Sequence, residues 1–123
     1  MPIDYHYDNK NNILYETGYG VLALSDFFEY RKKVQTLPLQ KNLKILSNYL
    51  KASLQFKIHE MQVYARMSEN LPIKYGTVKL AICANGHLSY GMARMFSSIS
   101  EVKGLDIEVF RDLSSAQNWL GIE

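Results

Sequence analysis

Alternating apolar and polar residues at the start of the chain predict two β-strands. In Ile3–Asp8 the apolar positions Ile3, Tyr5 and Tyr7 alternate with polar ones, and residues 13–19 alternate in the same way. A period of two is typical of a strand with one buried face. The polar run 8–12 between the two segments predicts a turn, so we expect an antiparallel hairpin.

The segment Val78–Ala84 organises the rest of the pattern. It is an apolar run with one Lys and suits a strand that is buried on both faces of a sheet. Residues 43–50 predict another buried strand, and residues 107–110 predict a strand near an edge of the sheet. Apolar residues spaced by three and four predict helices at 25–37, at 57–70, from Tyr90 onwards with Ser89 as its cap, and after the capping residue Asp112.

The predicted element order is β-β-α-β-α-β-α-β-α. Strands that alternate with helices pair in parallel, so we expect an α/β fold whose mixed sheet begins with the antiparallel hairpin. The chain has 123 residues, of which 47% are hydrophobic and 21% charged. These values are ordinary for a globular protein, and we expect a single domain over residues 1–123.

Composition argues against several classes of function. The formal net charge is only +2, which gives no reason to expect nucleic acid as a partner. The single Cys83 excludes an internal disulfide, and its apolar neighbours indicate an inert buried thiol. No apolar run approaches 18 residues, so we expect no transmembrane segment and a cytoplasmic protein.

Catalytic and metal-binding patterns are missing from the sequence. His6, His59 and His87 do not share a spacing that favours a metal, and there is no Gly-x-Ser-x-Gly motif. Cys83 has no convincing base beside it. We therefore expect no enzymatic activity, no catalytic residues, no metal and no cofactor.

Three short motifs carry a resemblance to a known family. They are the glycine-containing segment 18–22 (GYGVL), the segment 90–96 (YGMARMF) and the closing pattern VFRDL-x-x-A-x-x-WL at 109–120. In these motifs and in its hairpin start, the chain resembles the SpoIIAA-like family of small bacterial proteins. The resemblance implies a STAS-like fold, related in layout to the anti-sigma-factor antagonists and to the lipid-binding CRAL-TRIO domain, and no established enzymatic activity.

The sequence departs from the phosphorylation motif of the anti-sigma-factor antagonists. Those proteins carry an Asp-Ser-Ser/Thr-Gly-like motif after the strand that corresponds to residues 43–50, whereas this chain has neither the acid nor the glycine there. Ser53 is the hydroxyl near the expected place. We expect no stoichiometric phosphorylation of Ser53.

The carboxyl ends of the parallel strands are the natural place for a ligand in such a fold. Loops 49–56 and 85–90 and the turn at Arg111 are expected to converge there. The helix from Tyr90 and the Arg94 side chain would favour an acidic head group on an apolar body, for example a fatty acid. The candidate ligand-binding residues are Tyr49, Leu54, Phe56, Asn85, His87, Ser89, Tyr90, Met92 and Arg94, with Leu88 as further lining.

Two functions stay open at this point. The first is a non-enzymatic module that binds a small lipophilic or amphipathic acid. The alternative is a protein–protein regulatory module that resembles the anti-sigma-factor antagonists and has a degenerate phosphorylation motif. The oligomeric state is also open, with a homodimer as one alternative. For the candidate site, the alternative is that its side chains simply close the core.

Overall fold

Ten elements follow one another in the computed structural model, which describes residues 2–122. They are β1 (Ile3–Asp8), β2 (Ile13–Leu22), α1 (Leu24–Val34), β3 (Lys44–Leu54), α2 (Ile58–Ser68), α3 (Leu71–Tyr75), β4 (Val78–Ala84), α4 (His87–Ile99), β5 (Leu105–Phe110) and α5 (Leu113–Leu120). The strands form one sheet in the order β1-β2-β3-β4-β5. β1 pairs antiparallel with β2, and the other pairs are parallel. The predicted α/β class with an N-terminal hairpin is confirmed.

The two faces of the sheet carry different helices. α1, α2, α3 and α4 contribute to the larger core, and α5 packs on the opposite face against Leu46, Ala81 and Cys83. β4 lies between β3 and β5 and is largely buried, as predicted, and β5 lies at an edge. None of the helices in the described chain is long and apolar enough to cross a membrane.

The third strand is longer than the sequence pattern indicates. We expected it to end near residue 50 and a loop to follow, but β3 continues to Leu54. The reason is its neighbour: β2 also continues to Leu22, and after an irregularity between Thr17 and Tyr19 it pairs Val21 with Ser53 and Leu22 with Leu54. Cross-strand hydrogen bonds therefore hold a segment whose own composition is typical of a loop.

The helix α4 begins earlier than expected. Its N-cap is Gly86, at a φ of 78°, and the helix starts at His87 instead of near Tyr90. The prediction that Ser89 caps the helix is wrong. Ser89 is buried inside the first turn, and its Oγ accepts a hydrogen bond from the Leu54 amide at 3.0 Å. The Ser89 hydroxyl therefore bonds to a residue of β3 instead of capping α4, and the local sequence does not reveal this distant partner.

Smaller differences concern helix lengths and faces. α1 ends at Val34 instead of residue 37, and the connection before β4 contains the short helix α3. Three of the apolar residues whose spacing by three and four predicted the helices are nevertheless at least 38% exposed, namely Ile58, Met95 and Ile99. The predicted cap of the last helix is confirmed, because Asp112 Oδ1 accepts a hydrogen bond from the Ser115 amide at 2.7 Å.

Candidate functional site

An apolar cavity of about 230 Å³ lies between the sheet and helices α1, α2 and α4. Aromatic rings form much of its wall, and several of them touch edge to face: the Phe27 ring lies 5.5 Å from Tyr49, 5.2 Å from Phe56 and 5.6 Å from Tyr64. Tyr30, Tyr75 and Phe96 add further rings to the lining. A mostly apolar cavity with few polar groups is how small-molecule sites are usually built.

The cavity meets solvent at the amino ends of the parallel strands. The exposed residues of its lining are Gln35, Asn70 and Lys74, which follow α1 or lie in the connection between α2 and β4. These segments lead into the first residues of β3 and β4. The opening therefore lies opposite the carboxyl end, where the sequence led us to expect a ligand.

A buried carboxylate lies in the wall of the cavity. Glu16 is only 8% exposed and accepts three side-chain hydrogen bonds. Its Oε2 accepts from the Tyr30 hydroxyl at 2.6 Å, and its Oε1 accepts from Ser47 Oγ at 2.6 Å and from the Tyr49 hydroxyl at 3.0 Å. We call Glu16, Tyr30, Ser47 and Tyr49 the Glu16 cluster.

Strand register explains how the Glu16 cluster forms. Glu16 on β2 is the direct neighbour of Ser47 on β3, and Tyr49 follows Ser47 on the same face of β3. Tyr30 reaches the cluster from the buried stripe of α1. Burial and then the negative charge of Glu16 raise the pKa of both Tyr30 and Tyr49 well above the ordinary value of 10.0, so both hydroxyls keep their protons and donate.

Arg31 brings a positive charge to the same cavity. Its side chain is half-buried, its Nη2 donates to Ser68 Oγ at 2.9 Å, and its guanidinium carbon lies 4.9 Å from the centre of the Tyr64 ring. Burial is the largest influence on the Tyr64 pKa and raises it, while the charge of Arg31 acts in the opposite direction. No carboxylate of residues 2–122 forms an ion pair with Arg31.

The structure divides the predicted site residues into two groups. Tyr49, Leu54, Phe56 and Met92 line the cavity. The others lie outside its wall, namely Asn85, His87, Leu88, Ser89, Tyr90 and Arg94.

Residues of the second group have other surroundings. Asn85 Oδ1 accepts from the Gly86 amide at 3.0 Å, and the Tyr90 ring lies 3.8 Å below the Arg111 guanidinium. Arg94 is exposed in a separate polar groove that Glu101 and Glu108 also line. The predicted convergence of loops therefore does not bring Arg94 to the apolar cavity.

Sequence reasoning missed the charged residues of the cavity. The alternation at 13–19 predicts Ile13, Tyr15 and Thr17 on one face of the second strand, which leaves Glu16 on the other face. That other face, with Leu14 and Glu16, borders the larger core. No local signal in the sequence marks Glu16 as buried, because the residues that hydrogen-bond to it lie on α1 and β3. Among residues 2–122, no group of three or more His, Cys, Asp or Glu side chains is placed to hold a metal.

Comparisons with known proteins bear on the fold. No protein-family model matches the sequence, and no curated protein matches it. A solved structure does: an uncharacterized protein of the DUF3478 family with a SpoIIAA-like fold, from Shewanella loihica PV-4. The match covers 96% of this chain and 91% of that protein, with a TM-score of 0.56 and 15% sequence identity.

This chain has a SpoIIAA-like fold. The predicted resemblance is confirmed at the level of the fold, over nearly the whole chain. At 15% identity the match shows that the two proteins share the SpoIIAA-like architecture, and it gives no information about ligands or partners. Function must therefore be argued from the cavity.

Proposed function

We propose that this SpoIIAA-like protein is a non-enzymatic binding module that holds a small amphipathic acid in the apolar cavity. The observation that carries the proposal is the half-buried Arg31 guanidinium, which lines the cavity without a carboxylate partner among residues 2–122. The apolar body of the ligand would lie among the aromatic rings, and its acid group would pair with Arg31.

The chemistry of the guanidinium favours an anion. Arginine has five N–H donors, and a planar acid group can accept two of them at once. In this structure the hydrogen bond to Ser68 Oγ uses one donor. Lys74 also lines the cavity and adds a second positive charge at its opening. The acid group thus has its partner at Arg31, and not at Arg94, where the sequence placed it.

The size of the cavity limits the ligand. An apolar cavity of about 150 Å³ is enough to hold benzene. The cavity described above is about half as large again, which suits a substituted ring or a short chain better than a complete long-chain fatty acid. We therefore expect short and medium-chain acids or single-ring aromatic acids to bind best.

Calorimetric titration with octanoate tests the proposal directly. Arg31→Gln should weaken octanoate binding by about 10- to 100-fold, because a charge-assisted hydrogen bond contributes roughly 1.5–3 kcal/mol. Arg94→Gln is the matched control: it removes the same charge from the same protein, but from an exposed site outside the cavity. 1-Octanol serves as a ligand of similar length that lacks the acid.

Each result has a clear meaning. Octanoate that binds wild type and Arg94→Gln equally well, and Arg31→Gln much more weakly, supports the proposal. Absence of octanoate binding below millimolar concentration, or equal losses in the two variants, would overturn it. If 1-octanol binds as tightly as octanoate, the acid group does not contribute to binding, and the proposed role of Arg31 is overturned.

The alternative function, a phosphorylation-dependent regulatory module, has no specific observation in its favour. Ser53 lies inside β3, where it pairs with Val21 of β2, and it is half-buried. A kinase needs an accessible, extended segment around its target, and a paired strand residue must leave the sheet to provide one. The absence of stoichiometric phosphorylation at Ser53 stays a prediction, which phosphopeptide mass spectrometry of protein from growing cells would check.

A further inference from the structure

We infer that the Glu16 cluster selects ligands that carry a hydrogen-bond donor, a hydroxyl or an amine, on the part that enters the cavity. The inference rests on the proposed function, since it takes the same cavity as the binding site. It adds a second recognition element, which is chemically opposite to Arg31: Arg31 would bind an acceptor on the ligand, and Glu16 would bind a donor.

The first support is the number of hydrogen bonds that the carboxylate accepts. A carboxylate offers about four lone-pair sites, two on each oxygen. Glu16 Oε1 uses two of them, for Ser47 Oγ and the Tyr49 hydroxyl. Oε2 uses one, for the Tyr30 hydroxyl, and no other donor of residues 2–122 reaches it. One acceptor site therefore stays open on an oxygen of a residue that lines the cavity.

The second support is charge. Glu16 is 92% buried, as its 8% exposure implies, and no basic side chain of residues 2–122 forms an ion pair with it. A buried carboxylate is costly unless it is hydrogen-bonded or paired. A ligand N–H or O–H at Oε2 would form a charge-assisted hydrogen bond, whereas a hydrocarbon at the same place would leave the acceptor without water and without a partner.

The third support is the neighbourhood of the open acceptor site. The Tyr30 and Tyr49 rings belong to the cluster itself, and Phe27 touches Tyr49. Aromatic faces attract ammonium groups as well as apolar ones. A hydroxyl and a protonated amine share the donor chemistry, and the experiment must separate them.

Two pairs of similar size serve as probes in a calorimetric titration. p-Xylene and p-cresol differ by a methyl group against a hydroxyl, and ethylbenzene and benzylamine differ by a methyl group against an ammonium. If Glu16 accepts a hydrogen bond from the ligand, the compound in each pair that carries the donor should bind more tightly than the compound that carries the methyl group. The measured quantity is the ratio of affinities within a pair, which cancels most of the contribution of the shared ring.

Glu16→Gln is the test variant, because it keeps the shape and replaces one acceptor oxygen by an amide NH₂. The preference for the donor should fall about tenfold or more in Glu16→Gln. Tyr30→Phe is the matched control variant: it removes a donor from Oε2 and leaves the acceptor in place, so the preference should persist or increase. Urea unfolding of both variants verifies that they are folded at the titration temperature.

The outcomes separate this inference from the proposed function. A donor preference that is present in wild type, lost in Glu16→Gln and kept in Tyr30→Phe supports it. Equal preferences in wild type and Glu16→Gln would overturn it and leave the cavity as a binding site. Octanoate binding without binding of any ring probe would also overturn it, while the proposed function would stand. Failure of octanoate and of all four ring probes to bind would overturn both.

Discussion

The Tyr30 hydroxyl is the group whose removal best tests the physical account of the Glu16 cluster. Tyr30→Phe deletes one oxygen and keeps the ring, which is 3% exposed and packs edge to face on Tyr5. The lost hydrogen bond is short, at 2.6 Å, and ends on a carboxylate. Hydrogen bonds to charged groups contribute roughly 1.5–3 kcal/mol, so the free energy of unfolding should fall by about that amount at pH 7.

The same substitution should change the response to alkali. The pKa of Tyr30 is raised in the folded state, so above pH 10 the unfolded chain loses the proton first and stability falls as pH rises. One such group steepens the fall by about 1.4 kcal/mol per pH unit. Tyr30→Phe lacks this group, and the difference in stability between wild type and variant should therefore disappear within about two pH units above pH 10.

Urea unfolding followed by fluorescence at several pH values between 7 and 11.5 measures both effects. Tyr5→Phe is the matched control, because its side chain is 39% exposed and no residue within 2–122 accepts a hydrogen bond from its hydroxyl. It should stay within about 0.5 kcal/mol of wild type. A Tyr30→Phe loss as small as that of Tyr5→Phe, or a loss that persists unchanged at pH 11.5, would refute the reasoning.

Three further predictions concern the core and the backbone. Ile82→Ala should cost ~2–5 kcal/mol because Ile82 is 5% exposed in β4, whereas Ile73→Ala, at 82% exposed, should cost almost nothing in the same urea titration. Burial raises the pKa of the Cys83 thiol to about 11, so native protein at pH 8 should react with iodoacetamide ~100-fold more slowly than protein in urea, and equal rates would contradict burial. Gly91→Ala should stabilise the protein by ~0.5–1 kcal/mol in scanning calorimetry, since Gly91 lies in α4 and an added Cβ would meet nothing within 4 Å. Gly18→Ala should destabilise it, since an added Cβ would lie 2.7 Å from Leu22 Cδ1. If Gly18→Ala were the more stable of the two variants, the crowding around Gly18 would be contradicted.

Much of the fold could be predicted because local pattern and tertiary structure agree in most segments. Val78–Ala84 is apolar at nearly every position, and the strand it predicts has the same bounds in the structure. Asp112 caps α5 as expected, since the cap is a contact over three residues and needs no distant partner. The prediction was wrong where a distant partner decides the outcome, as in residues 51–54, which extend β3 because β2 pairs with them.

The candidate site was less predictable than the fold. Tyr49, Leu54, Phe56 and Met92 were expected at a ligand site and do line the cavity, because buried apolar residues near strand ends border any interior space. Arg94 was expected there as well, but its position on the exposed side of α4 places it in another groove. Because α4 begins at His87, Arg94 lies about two turns from the helix start instead of about one, which is about 4.5 Å farther along the helix axis than expected.

The sequence by itself determined the fold class, the hairpin, the order of strands and helices along the chain and the buried position of Cys83, because periodicity, caps and composition act over a few residues. Only the tertiary structure decided where the charges of the cavity lie. Tyr30 on α1 and Ser47 on β3 lie 14 and 31 residues from Glu16 along the chain. Helix packing and strand register bring the hydroxyl oxygen of each to 2.6 Å from a carboxylate oxygen of Glu16. Hydrogen bonds over such separations leave no local pattern in the sequence, so nothing in it distinguishes a buried carboxylate from an exposed one.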